Sequence, residues 1–121
     1  MYLKLNHQKL DIYHLSQAFV LECYKLSKYL PDDEKFGMIS QIRRASLSVH
    51  LNIAEGASPK SEVERKRFYE ISRSSIVEID AALDIANGLG YLNNYDTSKL
   101  GEAMIKCFKI LSGLITSNMK N

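Results

Sequence analysis

The stretch from Gln41 to Gly56, which reads QIRRASLSVHLNIAEG, constrains the fold of this chain most strongly. It has a helical period, and at about 100° per residue its polar side chains fall on one narrow stripe. This stripe consists of Gln41, Arg44, Ser48, Asn52 and Glu55. Two apolar arcs flank it, the first made of Ile39, Ile42, Val49 and Ile53, the second of Leu47, Leu51 and Ala54. Because covered polar groups need partners, we expect this helix to bury one face in the core and the other against a neighbouring subunit.

The sequence pattern also predicts a helix before this stretch and indicates where both helices begin and end. Apolar residues at helical spacing predict helix 1 over about residues 6–30, where Pro31 stops it. Asp32 or Asp33 is expected to cap helix 2, which runs to about residue 55. Gly56 is then expected to take the left-handed conformation that ends many helices.

Helix 3 is predicted to begin with a capping box, Ser61-x-x-Glu64, in which each side chain satisfies a backbone amide of the other residue. The helix runs over about residues 62–87, and Gly88 and Gly90 end it. Its core-facing side is expected to consist of Phe68, Ile71, Ser75, Ile79, Ala82, Ala86 and Leu89.

A fourth helix completes the predicted fold. Asp96 or Thr97 is expected to cap it, and it runs to about residue 117. The sequence holds no convincing strand pattern, and 121 residues suffice for one domain with its own core. Because short loops join the long helices, neighbours should be antiparallel. We therefore predict a single-domain, all-α, antiparallel up-down-up-down four-helix bundle over residues 1–121.

Several motifs give the chain a family resemblance. They are Gln41-x-x-Arg44-Ala45, Asn52-Ile53-Ala54-Glu55-Gly56, Leu30-Pro31-x-x-Glu34-x-Phe36-Gly37, the spaced residues Ser61, Phe68, Ile71, Ser75 and Glu78, and Gly90-Tyr91-Leu92. With them the chain resembles the 23S rRNA intervening-sequence protein family, also called four-helix bundle proteins. The family is named for genes inside intervening sequences of 23S rRNA, and a related branch assists the reverse transcriptase of diversity-generating retroelements. The resemblance implies a ring-like homo-oligomer, a pentamer, that works on RNA or DNA or with a nucleoprotein partner such as a reverse transcriptase.

The composition is that of an ordinary globular protein, with 45% hydrophobic and 25% charged residues. No apolar run approaches the ~20 residues that cross a membrane, and the first residues lack the apolar core of a signal peptide. We therefore expect a cytoplasmic protein without membrane contact. Cys23 and Cys107 lie in apolar helical patterns, which predicts buried free thiols, with a disulfide as the alternative.

The sequence lacks the usual signatures of an active site. None of its three histidines stands in the Glu-x-x-His spacing of di-iron bundles, and Asp11-x-x-His14 has no second pair. No serine or cysteine has an evident histidine partner, and no phosphate-binding glycine loop occurs. His50 is expected on the outer face of helix 2, as a surface or subunit-edge residue. We predict a non-enzymatic protein with no catalytic residue, no metal and no cofactor.

Arg44 admits two interpretations. Its guanidinium could recognise phosphate, or it could form a structural ion pair with Glu55 or Glu78. Its apolar flanks favour structure, so we predict a structural polar network of Gln41, Arg44, Ser48, Asn52, Glu55 and Glu78. The predicted oligomer interface is the second apolar arc, Leu47, Leu51 and Ala54.

One end of the predicted bundle is net basic. Its candidate nucleic-acid-binding residues are Lys60, Arg65, Lys66 and Arg67, at the start of helix 3, where backbone amides also favour phosphate. Repeated around an oligomer, such an end forms a basic ring. The alternative is that these charges are solvated helix surface. The sequence therefore predicts an oligomeric bundle that binds RNA or a nucleoprotein partner, with a structural or protein-interaction scaffold lacking nucleic-acid affinity as the alternative.

Overall fold

The computed structural model describes residues 1–5, 10–58 and 60–120, with the side chains of 118–120 left out. The described part contains four α-helices and no strand, which confirms the predicted all-α class. The helices are α1 (Asp11–Tyr29), α2 (Met38–Ala57), α3 (Glu62–Gly88) and α4 (Ser98–Lys120), with a single 3-10 turn at Asp32–Glu34. The predicted start of helix 1 at residue 6 lies outside the described residues.

The four helices pack in a ring. Each helix contacts the next one along the chain, and α4 returns to contact α1. Ser16, early in α1, contacts His50 late in α2, whereas Ser27, late in α1, accepts a hydrogen bond from Arg43 early in α2. These two helices therefore run in opposite directions, which is consistent with the predicted up-down order. The core between the helices is made of Ile12, Phe19, Cys23, Leu26, Ile42, Val49, Ile53, Ile76, Ile79, Cys107 and Leu111, among others.

The start of α2 differs from the prediction. Asp32 and Asp33 do not cap α2, because the backbone after Pro31 closes a 3-10 turn in which the Pro31 carbonyl accepts from the Glu34 amide at 2.9 Å. Glu34 takes over the capping role, and its Oε1 accepts from the Met38 amide at 3.3 Å.

Gly56 does not end α2 in the left-handed conformation, because the helix continues to Ala57. The glycine is instead a point of close helix approach. A Cβ added at Gly56 would lie 2.6 Å from Cε1 of Tyr69 on α3, well inside van der Waals contact. Gly56 is therefore required by packing between α2 and α3 and not by backbone conformation.

The start of α3 shows one half of the predicted capping box, because the Glu64 carboxylate accepts from the Ser61 hydroxyl and not from the Ser61 amide. The Ser61 hydroxyl accepts from the Glu64 amide at 3.2 Å and donates to the Glu64 carboxylate at 2.9 Å. At the other end Gly90 has φ of 80°, and the amide of Tyr91 donates to the Ala86 carbonyl at 3.0 Å. This bond, with the one from the Gly90 amide to the Asn87 carbonyl, forms a Schellman motif.

The core-facing side of α3 is shifted from the prediction. Phe68 is half-buried, and Ile71 and Leu89 are exposed. The buried residues are Tyr69, Ser72, Ser75, Ile76, Ile79 and Ala86. Ser75, Ile79 and Ala86 are thus buried as predicted, whereas Tyr69, Ser72 and Ile76 were missed, and the Ser72 hydroxyl donates to the Val49 carbonyl at 2.7 Å.

The cap of α4 is Asp96, whose Oδ1 accepts from the Ser98 amide at 2.9 Å. The helix extends to Lys120, three residues beyond the predicted end. Within the part of the chain that the structure describes, no helix is both long and apolar enough to cross a membrane.

Candidate interaction surface on helix α2 and the basic end

The outer face of α2 carries an apolar row, defined here as Leu47, Leu51 and Ala54. Leu47 is 40% exposed and Leu51 58% exposed, while Ala54 is half-buried. The opposite face of the same helix, with Ile42, Val49 and Ile53, is fully buried. The helical period thus separated the buried arc of α2 from the exposed one. That the apolar row forms a subunit interface stays a prediction.

The predicted polar stripe of α2 lies along the groove between α2 and α3. Asn52 Nδ2 donates to the Ser48 carbonyl at 2.8 Å and to the Ser48 hydroxyl at 3.1 Å. The Ser75 hydroxyl, on α3, donates to Ser48 Oγ at 2.9 Å. Ser75 was expected only as a core residue, and no sequence signal marked it as the partner of this stripe.

A second part of the stripe contains Arg44. Its guanidinium donates to the side-chain oxygen of Gln41, and Gln41 Nε2 donates to Glu78 Oε2 at 3.3 Å. Arg44 is exposed, and it forms no ion pair with Glu55 or Glu78 in the described chain. The amide of Gln41 occupies the position between the two charges, so the predicted direct ion pair is replaced by a bridged contact. The structural role of Arg44 stays a prediction.

Glu55 is separate from the rest of the predicted network. Its carboxylate pairs with Lys60 Nζ at 3.3 Å, at the end of α2. The Lys60 ammonium also lies over the Phe68 ring, 4.2 Å from its centroid, and the Lys60 side chain is only 14% exposed. Lys60 therefore stabilises the connection between α2 and α3, because its ammonium group contacts both Glu55 and Phe68 and its aliphatic side chain is buried.

Of the other three predicted nucleic-acid-binding residues, Arg65 contacts the protein itself, whereas Lys66 and Arg67 do not form ion pairs with described residues. Arg65 is half-buried, and its Nε donates to the Gly56 carbonyl at 3.2 Å, which satisfies a carbonyl at the end of α2. Lys66 is half-buried, Arg67 is exposed, and neither takes part in an ion pair between described residues. Of the four predicted nucleic-acid contacts, two thus hold the fold together and two remain available to a ligand.

His50 does not point away from the bundle as expected. Its Nδ1 lies 2.7 Å from the Ser16 hydroxyl, and its ring packs against that of Tyr13 at an interplanar angle of 41°, with 4.4 Å between centroids. The Ser16 hydroxyl lies within hydrogen-bond distance of both the Tyr13 carbonyl, at 3.0 Å, and this ring nitrogen. The histidine therefore joins α1 to α2.

The remaining reactive groups are shielded or dispersed. Cys23 and Cys107 are free and buried, as predicted, and burial raises their pKa to about 12 and about 11. Among the residues that the structure describes, no three His, Cys, Asp or Glu side chains are grouped so that they could hold a metal ion. Asp11 and His14, the one pair with a possible ligand spacing, are both exposed.

These features define a small all-α protein whose candidate site is the outward face of one helix. A comparison with protein-family models agrees with this class and identifies the family. The chain belongs to the 23S rRNA-intervening sequence protein family, whose model matches residues 8–113. This is not a recognised enzyme family. A comparison with curated proteins finds no match. The relation to retroelement accessory proteins stays a prediction.

Proposed function

We propose that the chain functions as a non-enzymatic, self-associating four-helix protein whose oligomer binds RNA or a nucleoprotein partner. The observation that carries the proposal is the apolar row on α2, which exposes Leu47 and Leu51 next to the polar groove. Contiguous exposed apolar surface on a small protein marks an interaction site. The pentamer that the resemblance implies is one such assembly.

The total surface supports the same proposal. The chain exposes 7637 Å², whereas a folded monomer of 13.8 kDa exposes roughly 6,600 Å². Part of the excess belongs to the first five residues, all of which are exposed. The helices also carry exposed apolar side chains, whose burial between subunits would lower the free energy of the assembly.

The nucleic-acid part of the proposal is carried by Lys66 and Arg67. Both lie in the second turn of α3, near the helix end whose dipole favours phosphate and whose first turn also holds Glu62 and Glu64. One such pair contributes little alone, but phosphate contacts add across the subunits of an oligomer.

A second candidate function is a protein-interaction scaffold without nucleic-acid affinity. The internal contacts of Lys60 and Arg65 favour it, because they remove two of the four candidate charges from the surface.

Self-association is tested by the substitution Leu51→Glu. A charge in a buried apolar interface must be desolvated without a partner, so light scattering should show smaller species than for the wild type. Leu21→Glu is the matched control, because Leu21 is 62% exposed on α1 and its substitution should leave the assembly intact. A wild-type protein that is monomeric at high micromolar concentration contradicts the proposal.

Nucleic-acid binding is tested by fluorescence anisotropy with structured RNA and duplex DNA at two salt concentrations. The double substitution Lys66→Gln and Arg67→Gln should weaken binding and reduce its salt dependence, while Lys28→Gln with Lys99→Gln, on exposed residues elsewhere, should not. If neither nucleic acid binds at low salt, the scaffold function stands in its place.

A further inference from the structure

A second exposed apolar surface lies on the other side of the bundle, between α3 and α4. Its rim consists of Val77, Ile105 and Phe108, which are 54%, 57% and 39% exposed. Buried Ile76 and Met104 form its floor, and its volume is about 300 Å³. We call this surface the α3–α4 groove. It shares no lining residue with the surface around the apolar row of α2.

The charges of α3 are ordered along this groove. Arg73 lies towards the start of α3, with its guanidinium 6.0 Å from the centroid of the Phe108 ring. Asp80 and Asp84 lie towards the end of the helix, both are exposed, and neither is in an ion pair between described residues. The stripe Arg73, Val77, Asp80 and Asp84 thus runs from basic through apolar to acidic, with steps of four, three and four residues.

A stripe on α2 has the same spacing and the same charged ends, basic first and acidic last, and its polar Ser48 and apolar Leu51 stand in the reverse order to Val77 and Asp80. This stripe is Arg44, Ser48, Leu51 and Glu55, with Leu47 beside it. Both stripes span eleven residues, which is about 16 Å of helix. If the two helices are placed antiparallel, each basic end faces an acidic end.

The residue pairs that result from this alignment are chemically matched. Leu51 faces Val77 and Leu47 faces Ala81, while Arg44 faces Asp84 and Glu55 faces Arg73. Glu55 already pairs with Lys60 but keeps 63% of its side chain exposed, so it can accept a second cation.

We propose that the apolar row of α2 in one copy of this chain docks, antiparallel to α3, into the α3–α4 groove of a second copy. The proposal rests on the self-association proposed above and specifies its geometry. The second copy is the fitting occupant because each copy carries both complementary surfaces. Such a contact is head-to-tail, so each copy offers one surface to each of two neighbours, and the assembly closes into a ring where the rotation permits. An α2–α2 contact between two copies would leave Val77, Ile105 and Phe108 exposed.

Cross-linking between two single-cysteine variants of the full chain tests the contact. Leu51→Cys and Val77→Cys proteins are mixed and treated with a short bismaleimide. Cys23 and Cys107 should not react, because both are buried and their thiols stay protonated. We expect several-fold more covalent dimer in the mixture than in either variant alone. Leu21→Cys mixed with Val77→Cys is the matched control, since Leu21 is as exposed as Leu51 but lies on α1.

Charge reversal gives a second measurement. Arg44→Glu and Asp84→Lys should each weaken self-association by roughly two- to five-fold, and the double variant should regain most of the wild-type affinity in sedimentation velocity. Circular dichroism checks that each variant is folded.

Two results overturn the proposal in different ways. Efficient cross-linking of Leu51→Cys alone, without a gain in the mixture, shows an α2–α2 contact; the head-to-tail geometry is then wrong, although self-association holds. A wild-type chain that stays monomeric in light scattering removes both.

Discussion

The substitution Gly56→Ala is expected to destabilise the fold, although alanine is the better helix former. Gly56 is buried inside α2, and the ring of Tyr69 from α3 lies directly against it. The new methyl carbon would lie 2.6 Å from Cε1 and 2.9 Å from Cδ1 of that ring. Since Tyr69 is only 4% exposed, the ring or the helix must move to admit the methyl group.

The magnitude follows from two opposing contributions. Overpacking of a well-packed core costs about 1–3 kcal/mol, and a contact this short belongs to the upper half of that range. Replacing glycine by alanine within a helix raises the free energy of unfolding by at most ~1 kcal/mol, and the gain is smaller this close to the end of the helix. The ring also borders an open cleft of about 430 Å³, which lets it yield in part. We expect a net loss of about 1–2 kcal/mol, or roughly 4–8 °C in the melting temperature.

Thermal unfolding followed by circular dichroism measures this effect, and the chain supplies its own control. Gly113 lies in the middle of α4, and no atom lies within 4 Å of a Cβ added there. Gly113→Ala should therefore raise the melting temperature by roughly 2–4 °C, as helix propensity alone requires. A Gly56→Ala protein that melts at or above the wild-type temperature would refute the argument from close approach.

Two further predictions follow from the pKa values of the fold. Asp96→Ala should lower the melting temperature more at pH 7 than at acidic pH, because the hydroxyl and the amide of Ser98 both donate to Asp96 and lower its pKa. A carboxylate with a depressed pKa in the folded state stabilises above its unfolded pKa of about 3.9, and this contribution disappears as the pH falls through the folded value; a pH-independent difference would contradict the cap. Cys23 and Cys107 should resist a maleimide at pH 8 in the native protein and react in guanidinium chloride, since burial holds both pKa values far above that pH; rapid native labelling, read by mass spectrometry, would show that the core opens.

The helical period predicted the two arcs of α2 correctly because that period depends only on local geometry. The same argument was right on α3 for Ser75, Ile79 and Ala86 and wrong at its start, where Tyr69 is buried and Ile71 is exposed. Serines occupy part of the buried side of α3, so apolar character alone misplaces the stripe. What makes a serine suitable there is a hydrogen-bond partner on another helix, as for Ser72 and the Val49 carbonyl. Such a partner is a property of the packed bundle.

The candidate site could be predicted only in part, for a related reason. The exposure of Leu51 follows from the period of α2. The internal contacts of Lys60 and Arg65 do not follow from the helical period. They depend on where the end of α2 meets the start of α3. A run of basic residues in a sequence gives the number of positive charges. It does not show how many of these side chains form contacts within the folded protein.

The motifs that give the family resemblance are explained to a large extent by contacts between helices. Glu34, from the motif before α2, accepts a hydrogen bond from the Tyr91 hydroxyl at 3.0 Å, and Tyr91 belongs to the motif after α3.

Two other motif positions have the same kind of role. Gly56 receives Tyr69, and Gln41 donates to Glu78. Because these residues are occupied in joining the helices, they are poor candidates for a ligand site. Function should therefore be sought on surfaces that these joining residues leave open, namely the apolar row of α2, the α3–α4 groove and the charges of Lys66 and Arg67. Substitutions of Leu51, Val77 or Arg67 should change assembly or binding without changing the fold, whereas substitutions of Glu34, Gly56 or Tyr91 should lower the stability of the fold.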